Sequence, residues 1–262
     1  MPKSSLARFS SLFALLCIYG CGPQQAQEPP SAPSQTQEAV DPSYQDLFNG
    51  SDLTGWAGDD PFWRVEDGVI IGEITATTVI DANRFLVYQG KMPDDFELIV
   101  EFQVTADGNS GINYRSDPIE GLSYQALTGY QYDIDGKVRY VGSNYEEKRR
   151  STLASIGETV TIPMVSAADS LKHRIKNQWA QRDIQIHQNA DTLKANFKHD
   201  DWNTARIVAQ GKVLSHYLNG VLMSQVVDND TIRGRSSGKL GVQVHIGPPM
   251  KIMYRSMKVR EL

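Results

Sequence analysis

Strict two-residue alternation, repeated in short segments and broken by turn residues, is the feature that most constrains this chain. From Phe96 to Val104, Leu98, Val100, Phe102 and Val104 fall on one parity. Glu97, Glu101 and Gln103 fall on the other, with Ile99 among them. A repeat of two is that of a strand with one packed face and one wet face. Gly111–Arg115, Gly129–Ile134 and Leu240–Ile246 follow the same rule. The turn pairs Asp67-Gly68, Asp135-Gly136 and Asn219-Gly220 punctuate these segments, and the last is a hairpin signature. Many short strands joined by tight turns predict an all-β sandwich of jelly-roll type in one domain, residues 44–262. Residues 165–200 break the pattern. Ala167–Lys176 has helical character and Gln185–Phe197 is ambiguous, so a partly helical insertion is expected there.

The first twenty residues carry Lys3 and Arg8 ahead of an apolar run, Phe9–Ile18, too short to span a bilayer. That run ends in Ile18-Tyr19-Gly20-Cys21, which resembles a bacterial lipobox. The resemblance implies a signal peptide over 1–20 and a lipid on Cys21. A Pro-, Gln- and Ser-rich tether follows over 21–43. An exported lipoprotein is therefore expected, held on the membrane by Cys21 and placed at the outer membrane. Cys17 and Cys21 are the only cysteines, so the mature domain would contain no disulfide. Cleavage removes two cations and no acid, taking the net charge from −5 to −7. Lys148-Arg149-Arg150 is the only basic run and is preceded by Glu146-Glu147. This balance argues against nucleic acid as a partner and favours a small polar ligand.

Sorting the strand faces collects a polar set: Glu101, Gln103, Asn113, Arg115, Gln131, Asp133, Gln243 and His245. An antiparallel sheet needs no function to explain a wet face. However, a His, an Arg and several amides are less usual there than Lys, Glu and Thr. The set is read as a candidate binding cleft.

Asp46-Leu47-Phe48-Asn49-Gly50-Ser51-Asp52-Leu53-Thr54-Gly55-Trp56 opens an ordered series of motifs. Trp63–Ile70, Asp95–Phe102, Gly108-Asn109-Ser110-Gly111-Ile112, Asp201-Trp202-Asn203, Tyr217–Gly220 and Gly238–Gln243 continue it. Together they resemble the 3-keto-disaccharide hydrolase family. The resemblance covers about Asp46 to Leu262. It implies a concanavalin A-like jelly roll of two antiparallel sheets with a cleft on one of them, and an oxidised glycoside as ligand. Where the family's commoner form carries a Glu before the Gln, this chain has Tyr130.

A ketone at C3 acidifies the C2 hydrogen, so the C1 substituent can leave by elimination and water can then add. Such a site needs a base, an acid for the leaving oxygen and donors for an enolate. Asp133 or Glu146 is the expected base, with His245 as the second acid/base group. Arg115, Gln131 and Asn113 are expected to hold the enolate or sugar hydroxyls. Asn109, Tyr130, Tyr145 and Gln243 complete the substrate-binding set. A divalent metal is compatible with carboxylate and imidazole ligands, although no ligand spacing in the sequence demands one. The competing readings are a sugar-binding module using the same cleft, and an anchored structural domain with a merely solvated face.

Overall fold

The apolar parities of the strands meet between two sheets. The computed structural model describes residues 41–58, 61–78, 80–165, 174–175, 178–179 and 182–262. The first sheet runs, in spatial order, Asp183–Ile186, Glu158–Ile162, Val221–Asp228, Val213–Leu218, Asn203–Gln210, Phe96–Val104, Met250–Glu261, Val69–Ile74 and Trp63–Glu66. The short strand Gln45–Asp46 adds to Met250–Glu261. The second runs Arg174–Ile175, Gln178–Trp179, Ser151–Ala154, Asn144–Glu147, Leu127–Asp135, Asn109–Pro118, Lys239–Val244, Arg84–Tyr88 and Trp56–Ala57. All neighbours are antiparallel except Glu158–Ile162 beside Val221–Asp228 and Ser151–Ala154 beside Gln178–Trp179. This is the expected all-β jelly-roll sandwich.

Leu98, Val100 and Phe102 from the first sheet and Ile112, Tyr132 and Ile134 from the second are buried in one core cluster. Burial of an aliphatic or aromatic side chain contributes about 1.5–3 kcal/mol each, so parity is strongly enforced here. Two polar nodes inside this layer are hydrogen-bonded, whereas Trp63 Nε1 and Asn144 Oδ1 have no partner among the described residues. His216 Nδ1 donates to the Ser143 carbonyl at 3.2 Å, and Tyr114 Oη lies 2.8 Å from Nε2. A carbonyl only accepts, so the ring is the Nδ1–H tautomer and the tyrosine is the donor. Burial drives this imidazole's pKa down to about 3 and keeps it neutral.

Arg150 is the other buried polar node. Its Nε lies 2.5 Å from Glu146 Oε2, its Nη2 2.6 Å from Asp228 Oδ2, and its Nη1 3.5 Å from Asp230 Oδ2. Tyr130 Oη donates to the same Asp228 carboxylate at 2.5 Å. Glu146 and Tyr130 belong to the second sheet and Asp228 to the first, so the cluster ties the two layers together.

The insertion differs from expectation. Arg174–Ile175, inside the segment read as helical, is strand, and most of Ala167–Lys176 lies outside the described residues. Asp183–Ile186 extends the first sheet beside Glu158–Ile162. Among the described residues the α-helix is confined to Ala190–Lys194, which Asn189 starts by accepting from the Asp191 and Thr192 amides. At Arg174–Ile175, pairing with Gln178–Trp179 takes the place of the expected helix, and a short helix is costly to nucleate.

Replacing Arg150 by Met should lower unfolding free energy by about 3–5 kcal/mol, because three carboxylates lose a buried partner. Arg255→Met, which breaks the surface pair with Glu101, should cost less than about 1 kcal/mol. Urea denaturation of both variants checks the contrast.

Candidate functional site

Parity in the second sheet turns Gln131 and Asp133 away from the core, because Tyr130, Tyr132 and Ile134 point into it. Register then brings neighbours alongside: Gln131 lies opposite Tyr145 on one side and Asn113 on the other, and Asp133 lies opposite Gly111. Asn109, Gln131, Asp133, Tyr145, Glu147, Thr152 and His245 line one cavity of about 420 Å³, with Tyr140 from the preceding turn. Five of the residues expected from the sequence are thus brought together: Asn109, Gln131, Asp133, Tyr145 and His245.

A chain of amides lies along the floor. Gln243 Nε2 donates to Gln131 Oε1 at 3.4 Å, and Gln131 Nε2 donates to Asp133 Oδ1 at 2.6 Å. The Gln131 side chain reaches this position by lying flat over Gly111, where a Cβ would collide with its Cγ and Cδ. Asn113 and Gln243 are fully buried beneath the cleft rather than lining it. Both amide atoms of Asn113 and Oε1 of Gln243 have no hydrogen-bond partner among the described residues.

The ionisable groups are displaced toward their neutral forms. Burial raises the Asp133 carboxyl to about 8; the Gln131 hydrogen bond opposes this, and the charges of Glu147 and Asp135 add to it. Glu147 is raised as well, chiefly by burial, against the favourable influence of Lys148, Asn83 and Gln243. Burial lowers His245, and a contact from its Nδ1 to the Ile246 carbonyl at 2.6 Å works the other way. That contact makes Nδ1 the donor and leaves Nε2 as the acceptor nitrogen of the neutral ring. The cleft therefore holds a carboxyl that keeps its proton at neutral pH, a second carboxyl coupled to it, and a neutral imidazole. Two carboxyls so coupled titrate as a pair. Among the described residues no three His, Cys, Asp or Glu side chains converge as a metal-ligand set.

Four expectations need correction. Glu146 points into the core, held by Arg150 and by Arg149 at 3.1 Å; its neighbour Glu147 faces the cleft. Tyr130 shares the inward parity of Tyr132 and is bound to Asp228, so no sugar can stack on it. Arg115 has φ 44° at a register shift between Tyr114 and Asp117, which turns it off the face. Its guanidinium binds the carbonyls of Asp94 and Gly211 and the Asp95 carboxylate instead. Glu101 and Gln103 belong to the first sheet, on the far side of the sandwich, where Arg255 pairs with Glu101. Alternation gives the face of a strand and not the sheet that owns it.

Glu147, Tyr140, Thr152 and Asn83 were not legible as site residues. Glu147 follows Tyr145 at strand spacing, and recognition of Asn144–Glu147 as a strand would have singled it out over Glu146. Tyr140 lies in a turn and carries no periodic signal.

The model of the family described as the 3-keto-alpha-glucoside-1,2-lyase-like domain matches residues 43–260. Among solved structures, a candidate glycosyl hydrolase from Parabacteroides distasonis ATCC 8503 is similar at 21% identity and a TM-score of 0.50. The match covers 84% of this chain and 94% of that one. A protein of unknown function with a galectin-like fold from Bacillus subtilis is similar at 13% identity and a TM-score of 0.52, covering 83% and 94%. These likenesses concern the fold. No curated protein matches the chain.

The raised carboxyl makes a prediction about stability. Between the unfolded value near ~3.9 and the folded value of about 8, the folded chain keeps a proton that the unfolded chain loses. Asp133 therefore costs stability as pH rises through that window, and the cost is absent below it. Asp133→Asn should be more stable than the parent by up to about 5 kcal/mol at pH 8. The difference should vanish near pH ~4, as read from chemical denaturation at each pH.

Proposed function

Because the chain belongs to the 3-keto-alpha-glucoside-1,2-lyase-like family, we propose that it cleaves glycosides oxidised at C3 by elimination followed by hydration. The family supports a glycoside-processing or carbohydrate-binding jelly-roll domain in general. The observation that carries the finer reading is the placement of the Asp133 and Glu147 carboxyls in one cleft, with burial raising Asp133 to about 8.

Glu147 is the base in this reading: burial raises its carboxyl, and Lys148, Asn83 and Gln243 oppose that rise by favouring the charged form. It takes the proton from C2, and the C–H electrons form the enolate with the C3 ketone. The enolate electrons then return to the ketone as C1=C2 forms and the C1–O bond breaks. Asp133 gives its proton to the departing oxygen. Water adds at C1, C2 regains a proton, and the two carboxyls return to their starting states. Amide hydrogens of Asn109 and Gln131 suit the developing enolate oxygen, which is where fixed donors are most effective. His245, neutral with Nε2 as acceptor, suits orientation of the water. No oxocarbenium ion is needed, so the carboxyl pair is free of the spacing that ordinary glycosidases require.

A sugar-binding module is the second reading, favoured by the exposed ring of Tyr140 at the cleft. Incubation with a 3-keto-glucoside and an ordinary glucoside, with and without chelator, separates the two. Turnover of the keto-glycoside alone is expected. Glu147→Gln and Asp133→Asn should each lower it by at least ~100-fold, while Tyr130→Phe, which sits in the core, should not. Sugar binding without turnover of either compound would favour the module.

The same proposal places the domain on a membrane through a lipid on Cys21, at the end of the 21–43 tether, with export directed by residues 1–20. These residues lie outside those described. Cys21→Ser should release the protein from the membrane fraction and abolish labelling by a radioactive fatty acid.

A further inference from the structure

We infer that Tyr140 is the platform for a second sugar ring, the one that leaves, at the mouth of the cleft. The inference rests on the proposed reading of the site as a glycoside cleft. Tyr140 is 51% exposed, yet it lines the same cavity as Asp133, Glu147 and His245. An exposed aromatic is unremarkable on a floppy loop, but the turn that carries this one is built. Asp135, itself buried, accepts from the Arg139 amide at 2.8 Å and from the Arg139 guanidinium at 3.1 Å. The Val138 amide closes on the Asp135 carbonyl at 2.9 Å, and the Ser143 amide closes on the Tyr140 carbonyl at 2.8 Å. The Arg139 guanidinium lies 5.2 Å from the centre of the Tyr140 ring. The Gly142 amide donates to the Asp133 carbonyl at 2.9 Å, so both ends of the turn are tied to the strand that bears Asp133, and the ring is backed by a cation while remaining open to solvent.

The chemistry divides along the cleft. The floor presents carboxyls and amides, which suit the keto-bearing ring whose C1 and C2 must reach Asp133 and Glu147. The cavity, about 420 Å³, is larger than a single hexose fills. A leaving sugar projects from C1 toward the open side, where the ring face of Tyr140 offers a flat apolar surface to its C–H groups. A tyrosine fixed in advance adds that contact at little cost in side-chain entropy.

Steady-state kinetics on a 3-keto-disaccharide and on the methyl 3-keto-glucoside tests this for the parent, Tyr140→Ala and Tyr140→Phe. The alanine variant should raise KM for the disaccharide by about 10-fold and leave the methyl glycoside within about two-fold; phenylalanine should restore the parent value. An unchanged KM for the disaccharide, or an equal rise for both substrates, overturns the platform. A parent that turns over neither compound overturns the reading of the site as an enzyme. The platform is then judged by calorimetric affinity for the unoxidised disaccharide against methyl glucoside, where the alanine variant should lose the same selectivity. A parent that binds neither sugar overturns both.

Discussion

Each outward-facing group in the cleft is held in place by an inward-facing neighbour one residue away. Tyr130 and Tyr132 are locked in the core, the first on Asp228 at 2.5 Å and the second on the Tyr217 carbonyl at 3.2 Å. Gln131 and Asp133 can then point only the other way. Glu146 is fixed by Arg150, so Glu147 must face the cleft. A strand cannot turn one side chain without turning the next, which makes the core packing and the site geometry one constraint.

The same arrangement accounts for the shifted carboxyl. A carboxyl on a fully solvated sheet face would ionise freely, whereas Asp133 is half-buried among Gln131, Glu147 and the walls of a cavity. Desolvation is the larger influence, and the Gln131 hydrogen bond only tempers it. Gly111 makes that bond possible by leaving room for the Gln131 side chain to lie across its strand. The site thus pays in local stability for a proton held at neutral pH, a common arrangement where acid/base chemistry is done. The Arg150 cluster on the inner side joins the two sheets behind it.

Much of this was readable in the residues. The alternation in Phe96–Val104, Gly111–Arg115 and Leu240–Ile246 gave strands and faces, and Asn219-Gly220 gave a hairpin that the structure contains. The ordered motifs from Asp46 onward pointed to the family whose model matches 43–260. The failures have separate physical causes. Arg115 was lost to a bulge, which breaks parity locally. Tyr130 and Glu146 were assigned by residue type against their own parity. Glu101 and Gln103 were given the right kind of face on the wrong sheet. Arg174–Ile175, inside the segment read as helical, pairs with Gln178–Trp179 instead.

The sequence by itself determined which side chains of a strand travel together, because a two-residue repeat is a local property of extended backbone. That was sufficient to put Gln131 with Asp133. Only the tertiary structure decided which strands stand side by side, since hydrogen-bonded register joins residues as far apart in the chain as Asn109, Asp133, Glu147 and His245. It also decided which of two adjacent glutamates meets solvent, and how far a carboxyl is stripped of water. Both depend on what packs behind the strand, which no short stretch of sequence records.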